Sequence, residues 1–202
     1  MPTKPQLREH FRTQRQRLNQ EEQKAAAVSL ANHFIYELLF HSSQHIACYP
    51  ANDGELDVNH IIKAIWHANK TCYLPCLREG STLAFMPHHP HDRLKANKYG
   101  IYEPDYDVNK AISPEALDLV LLPLVAFDMH GHRLGMGGGY YDRTFAFKKN
   151  QTKPQKPWLV GVAHHCQTYG SLPHDDWDVG LDFIATEKEI IKPKKTLVIH
   201  NG

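Results

Sequence analysis

Four glycines fall within five positions, Gly135, Gly137, Gly138 and Gly139, and Tyr140, Tyr141, Asp142 and Arg143 follow at once. Successive glycines let a backbone turn its N–H groups inward toward an anion. A helix opening at residue 139 or 140 would add the partial positive charge of its N-terminus. Arg133 enters this loop and Asp142 leaves it, a cation for phosphate and a carboxylate for Mg2+. The chemistry such a set supports is the handling of a phosphoryl group. The loop is not a Walker A sequence, because no Gly-Lys-Ser/Thr ending follows, and its glycine spacing does not fit a dinucleotide fingerprint. Further cations stand at the start of the chain, where Lys4, Arg8, Arg12 and Arg15 are four, four and three residues apart and share one helical face. A stripe of this kind is ordinarily a solvated face, the reading retained for Arg12 and Arg15. Fifteen histidines invite a metal reading, with His88, His89 and His91, or His164, His165 and Cys166, as zinc ligands. Neither trio has the spacing that aims three ligands at one point.

The elements that must position these residues follow from hydrophobic periodicity. Thr3 caps a first helix with Pro5 in its opening turn, and Leu7, Phe11 and Leu18 form its apolar stripe. Asn19 and Glu22 make a capping box for a second helix that carries Val28, Ala31, Phe34, Ile35, Leu38 and Leu39. Residues 45–50 read as a buried strand and 51–57 as a polar loop. Asp57 caps a helix over 58–69 with Ile61, Ile62, Ile65 and Trp66 facing inward. Strands are expected at 71–77 and 82–86, a Pro- and His-rich connector at 87–114, and further strands at 119–123, 158–163, 181–186 and 196–200. Helices alternate with strands that are continuous apolar runs. That pattern predicts an α/β fold, a three-layer α/β/α sandwich around a largely parallel sheet, in a single domain over 1–202.

Composition closes other doors. With 23 Lys plus Arg against 22 Asp plus Glu, the formal net charge of +1 provides no global field for nucleic acid or an anionic membrane. A chain that is 42% hydrophobic can bury a core. Its longest apolar runs, such as 118–125, fall short of the ~20 residues of a membrane span. The four cysteines include no CxxC pair, and the first residues lack the apolar stretch of a signal peptide, so a reduced, cytoplasmic protein is expected.

Residues 121–143, LLPLVAFDMHGHRLGMGGGYYDR, closely resemble the signature of the 5-formyltetrahydrofolate cyclo-ligase family. Lys4-x-x-x-Arg8, YPANDGELD at 49–57, NKYGIYEP at 97–104 and LPHDDWDVGLDFIAT at 172–186 follow in the family's order. The resemblance implies an ATP- and Mg2+-dependent ligase that closes 5-formyltetrahydrofolate to 5,10-methenyltetrahydrofolate, through a phosphorylated formyl oxygen displaced by folate nitrogen 10. It implies a fold like that of the NagB/RpiA/CoA-transferase group, and a monomer whose partners are ATP and the folate. ATP would be held by Lys4, Arg8 and the stretch Arg133, Leu134, Gly135, Met136, Gly137, Gly138, Gly139, Tyr140 and Tyr141. The folate would meet Tyr49, Glu55, Met136, Gly137, Gly138, Gly139 and Tyr140. Asp142 and Asp178 would hold Mg2+, and Arg133, Tyr140 and Tyr141 would act at the reacting atoms. Some members carry basic residues where this chain has Met136 and Gly138, so phosphate binding here leans on Arg133, loop amides and the N-terminal cations. A small-molecule kinase, a sugar-phosphate isomerase or a non-catalytic nucleotide binder would share the phosphate loop. Glu55, the paired tyrosines and Asp142 favour the folate reading.

Overall fold

The computed structural model describes residues 2–151 and 155–194. Helix α1 spans Lys4–Gln16. Thr3 accepts from the Gln6 N–H and Gln6 returns the bond to the Thr3 N–H, a capping box with a glutamine in the third helical position. Helix α2 spans Gln20–Phe34, and the Asn19/Glu22 box opens it as expected. It does not run on to Leu39. The chain breaks after Phe34 and restarts as α3, Leu38–His41, a turn that brings the Phe40 ring against Phe34. Val28 and Leu38, expected inside, are exposed, and Ala27, Leu30, Ala31 and Phe34 form the buried stripe.

Strand β1, His45–Ala47, is followed by a loop and then α4, Asn59–His67. The helix begins one residue later than expected and its N-cap is Val58, not Asp57; Asp57 accepts the Asn59 N–H at 2.7 Å from the residue before the cap. Strand β2 is Thr71–Leu77 and β3 is Leu83–His88, their antiparallel ladder extending two residues past the expected end. The connector contains a small hairpin of β4, Lys95–Ala96, and β5, Tyr102–Glu103. Strand β6, Leu119–Pro123, is buried on both faces, as its unbroken apolar run requires. After it come β7, Ala126–Phe127, and β8, Arg133–Leu134, a two-stranded ribbon too short for periodicity to reveal. Next are the one-turn helix α5, Tyr140–Thr144, and strands β9, Trp158–Val162, β10, Phe183–Ala185, and β11, Ile190–Ile191. The strand expected at 196–200 lies outside the described residues.

Seven strands form one sheet in the order β11-β10-β9-β6-β1-β2-β3. The five central strands are parallel and both edge strands are antiparallel. One face carries Ile46, Cys72, Leu119, Leu121 and Val160 against α2 and α4. The other carries Ala47, Val120, Leu122 and Ile184 against Phe85, Phe127 and Phe145, with α5 above them. Helix α1 lies on the β7–β8 ribbon through Leu7, Phe11, Ala126 and Leu134. The α/β sandwich with a mostly parallel sheet is therefore present, its second helical layer thinner than its first. Strand β1 has β2 on one side and β6 on the other, so the chain order reverses there, and the segments leaving β1 and β6 diverge into a crevice. No helix among the described residues is long and apolar enough to cross a membrane.

Candidate active site

That crevice holds a cavity of about 1280 Å3. Pockets for one small ligand run to roughly 1,000 Å3, so this one has room for two. Its floor includes Tyr49 and Pro50 beyond β1, Leu77 at the end of β2, and Pro123 and Leu124 at the end of β6. Lys4, Arg8, Tyr49, Glu55, every residue from Arg133 to Asp142, and Asp178 all line it, so each candidate residue reaches the same space.

At one end stand the cations of α1. Lys4 Nζ lies 2.6 Å from Asp175 Oδ2 and 3.4 Å from Asp178 Oδ2. Asp178 also accepts the Asp175 N–H at 2.9 Å, which fixes its carboxylate within the turn. Arg8 Nε donates to Gly135 O at 2.8 Å, and its guanidinium lies beside Gly137, where a Cβ would be in ordinary contact with it. Gly137 and Gly139 have φ of 98° and 63°, backbone that side chains rarely adopt. Arg143 donates to Gly138 O, so the loop is held by its carbonyls from two sides. Helix α5 is only five residues long, and the helix-dipole contribution expected at the loop is correspondingly small.

Arg133 is 6% exposed and donates to Val179 O and to Asp142 Oδ1. Asp142 Oδ1 in turn accepts the Val179 N–H at 3.1 Å. Asp178 immediately precedes Val179, which brings the two candidate metal carboxylates to one short stretch of backbone. The Arg133 guanidinium, expected to face a phosphate, is committed to orienting Asp142.

The other end is lined by acid and phenols. Tyr49 is 2% exposed and its hydroxyl donates to Leu56 O, and burial pushes its pKa well up. Burial raises the Tyr141 phenol too. Glu55 accepts the Asn52 N–H at 3.1 Å. Burial pushes its carboxyl up to about 7, against the opposing pull of Arg15. The Tyr140 hydroxyl is 3.1 Å from that of Tyr99 across the cavity mouth.

Tyr99, Asp53, Trp177 and Lys149 line the cavity without having been singled out from sequence. Tyr99 sits inside the quoted 97–104 block, which was the available signal. Arg12 keeps to the solvated face expected of it, its side chain 41% exposed while it pairs with Asp53 at 2.7 Å. Arg15 does not: it is fully buried. Among the described residues, no group of three or more His, Cys, Asp or Glu side chains is placed to hold a metal ion. His132 and His174 instead stack 3.8 Å apart, and His132 bonds the buried Asp128, tying the β7–β8 ribbon to the loop that carries Asp175 and Asp178.

The sequence model of the 5-formyltetrahydrofolate cyclo-ligase family matches residues 1–187. A 5-formyltetrahydrofolate cyclo-ligase of Escherichia coli (strain K12) is 36% identical over 183 residues, covering 89% of this chain and 98% of the relative. One from Haemophilus influenzae is 38% identical over 178 residues, covering 87% and 93%. Among solved structures, a 5,10-methenyltetrahydrofolate synthetase of Aquifex aeolicus superposes with a TM-score of 0.79 at 30% identity, covering 98% of this chain and 97% of that one. A second, from Mycoplasma pneumoniae, shares the fold at 22% identity, with a TM-score of 0.71. On this similarity, which spans nearly its whole length, the chain is a ligase belonging to the 5-formyltetrahydrofolate cyclo-ligase family.

Proposed function

We propose that this chain closes 5-formyltetrahydrofolate to 5,10-methenyltetrahydrofolate with Mg-ATP, releasing ADP and phosphate. The observation that carries the reading is one cavity with room for two ligands, cations and carboxylates at one end and a buried acid with tyrosines at the other. The γ-phosphoryl passes to the formyl oxygen, folate nitrogen 10 attacks the formyl carbon, and phosphate leaves with that oxygen. Phosphoryl transfer asks of a protein mainly positioning and charge neutralisation. Lys4 and Arg8 supply the charge, and the glycine loop supplies backbone that can approach the phosphates closely.

Two carboxylates, Asp142 and Asp178, suit Mg2+, which takes one or two from protein and fills its shell with phosphate and water. A Mg2+ held by Asp142 and Asp178 would supply neutralisation of the phosphate charge. Arg133 holds Asp142 in place for that task, and Lys4 does the same for Asp178 while remaining within reach of the same phosphates. Nitrogen 10 loses a proton as it closes the ring. Glu55, poised at about 7, takes that proton near neutral pH. Tyr140 and Tyr141 present a hydroxyl and an aromatic face to the formyl end. The reading carries with it a cytoplasmic monomer, one domain over 1–202, acting on a small molecule without nucleic acid or membrane.

Purified protein with 5-formyltetrahydrofolate and Mg-ATP should generate the near-ultraviolet absorbance of the methenyl product, and a chelator should stop it. No absorbance change from folded protein would overturn the reading.

A further inference from the structure

The basic stripe of α1 divides. Lys4 and Arg8 meet the Asp175–Asp178 turn and the glycine loop, whereas Arg12, Arg15 and Gln16 converge on Asp53. Arg15 is 0% exposed, and its guanidinium is used on every side. Nε donates to Asp53 O at 2.8 Å, Nη2 to Asp53 Oδ2 at 2.8 Å and Nη1 to Leu124 O at 3.3 Å. Nη2 also stands 3.9 Å from Glu55 Oε1.

The loop it holds is not one a chain adopts freely. Asp53 has φ of 52° and Gly54 of 74°, two left-handed residues in succession directly before Glu55. A non-glycine residue stays in that region where its surroundings over-determine it. Here the surroundings are α1 itself, whose Arg12, Arg15 and Gln16 side chains all donate to the Asp53 carboxylate. The Glu55 N–H donates to Asn52 O and its carboxylate takes the Asn52 N–H, so the acid is fixed within a loop that is fixed on Arg15. Asp53 keeps some contact with solvent, but Arg15 is wholly buried, and burying a charge is a poor way to gain stability; its better-attested use is to specify one geometry.

We infer that Arg15, acting with Asp53, is the positioning residue for Glu55, locking the acid at the folate end of the cavity to the helix whose first turns carry Lys4 and Arg8 at the phosphate end. The inference rests on the proposed reaction for the role of Glu55, and on the hydrogen bonds above for the role of Arg15. Two ends of one cavity, built from distant parts of the chain, are thereby held in register by a single rigid element.

A double-mutant cycle tests it. Arg15→Lys keeps the charge and loses the planar fork that reaches Asp53 O, Asp53 Oδ2 and Leu124 O together. The readouts are the dissociation constants for 5-formyltetrahydrofolate and for ATP, neither of which needs turnover. Arg15→Lys should weaken folate binding about tenfold, the loss of one charge-assisted contact, and leave the dissociation constant for ATP within about twofold. In a Glu55→Gln background the same change should add nothing, because the residue it positions is already disabled. Equal weakening in both backgrounds, or folate and ATP weakening together, would assign Arg15 a purely structural role and overturn the inference. If Arg15→Lys does not fold, Asp53→Asn carries the same expectation and the same refutation. A wild type that yields no methenyl product yet shows this coupling refutes the proposed reaction alone; one that turns over without the coupling refutes the positioning role alone.

Discussion

Glu55→Gln should stabilise the protein while abolishing its turnover, and the stabilisation should depend on pH in a way the structure specifies. The carboxyl titrates near 4.5 in the unfolded chain and at about 7 when folded, because burial disfavours its charge more than Arg15 restores it. Between those values the folded state binds more protons than the unfolded one. Stability therefore declines as pH rises from 4.5 to 7 and is level above that, as far as this group contributes. At 1.36 kcal/mol for each pH unit, the decline amounts to about 3 kcal/mol. A glutamine has the same shape, keeps an oxygen for the Asn52 N–H and does not ionise. The variant should match wild type near pH 4.5 and exceed it by about 3 kcal/mol at pH 8, or about 6–12 °C in Tm for a chain of this size. Urea denaturation of both proteins at pH 5, 6, 7 and 8 reads the difference directly, since groups common to both cancel. A difference that stays flat across the series, or a variant less stable at pH 8, would refute the reasoning. Methenyl production at pH 7.5 supplies the second half of the prediction.

Three further substitutions probe the other end of the cavity. Asp142→Ala removes the proposed metal carboxylate and the partner of Arg133, and should lower turnover about a hundredfold while leaving the dissociation constant of 5-formyltetrahydrofolate within about threefold; equal losses in both would contradict its role. Lys4→Ala should raise the KM for ATP about tenfold. Its two carboxylate partners are partly solvated, so denaturation should register a change of less than about 1 kcal/mol. Gly139→Ala forces a side chain into left-handed backbone and places a Cβ 2.7 Å from Arg143 Nη1. It should cost about 1 kcal/mol, lower Tm by about 2–4 °C in calorimetry and weaken ATP binding through the displaced loop.

The sheet was legible from sequence because β1, β2, β6 and β9 are buried on both faces, and a continuous apolar run such as Leu119–Pro123 is what such a strand leaves in a sequence. The ribbon β7–β8 and strand β11 were not legible, because two residues are too few for either pattern to repeat, whereas α5 opens where the glycine loop led one to expect a helix. The break at residues 35–37 escaped for a related reason: Leu38 and Leu39 continue the helical spacing, and only the pull of Phe40 toward Phe34 shows why the chain turns. In the site, the glycines, tyrosines and Asp142 declared themselves by local order. Arg15 did not. Periodicity placed it on the same face as Lys4 and Arg8, and a basic stripe on an amphipathic helix reads as solvated; its burial depends on Asp53 and Leu124, 38 and 109 residues away. The histidine count pointed toward a metal, whereas the His132–His174 stack braces two loops, a contact that no spacing along the chain encodes.

Lys4 meets its carboxylates 171 and 174 residues further along the chain, and Arg8 meets Gly135 across 127. During synthesis at about 5–20 residues per second, the first partner waits roughly 10–30 s for the last. Through that interval helix α1 lacks the contacts that fix Lys4 and Arg8, and the wall of the cavity they form is complete only once residue 178 has been made.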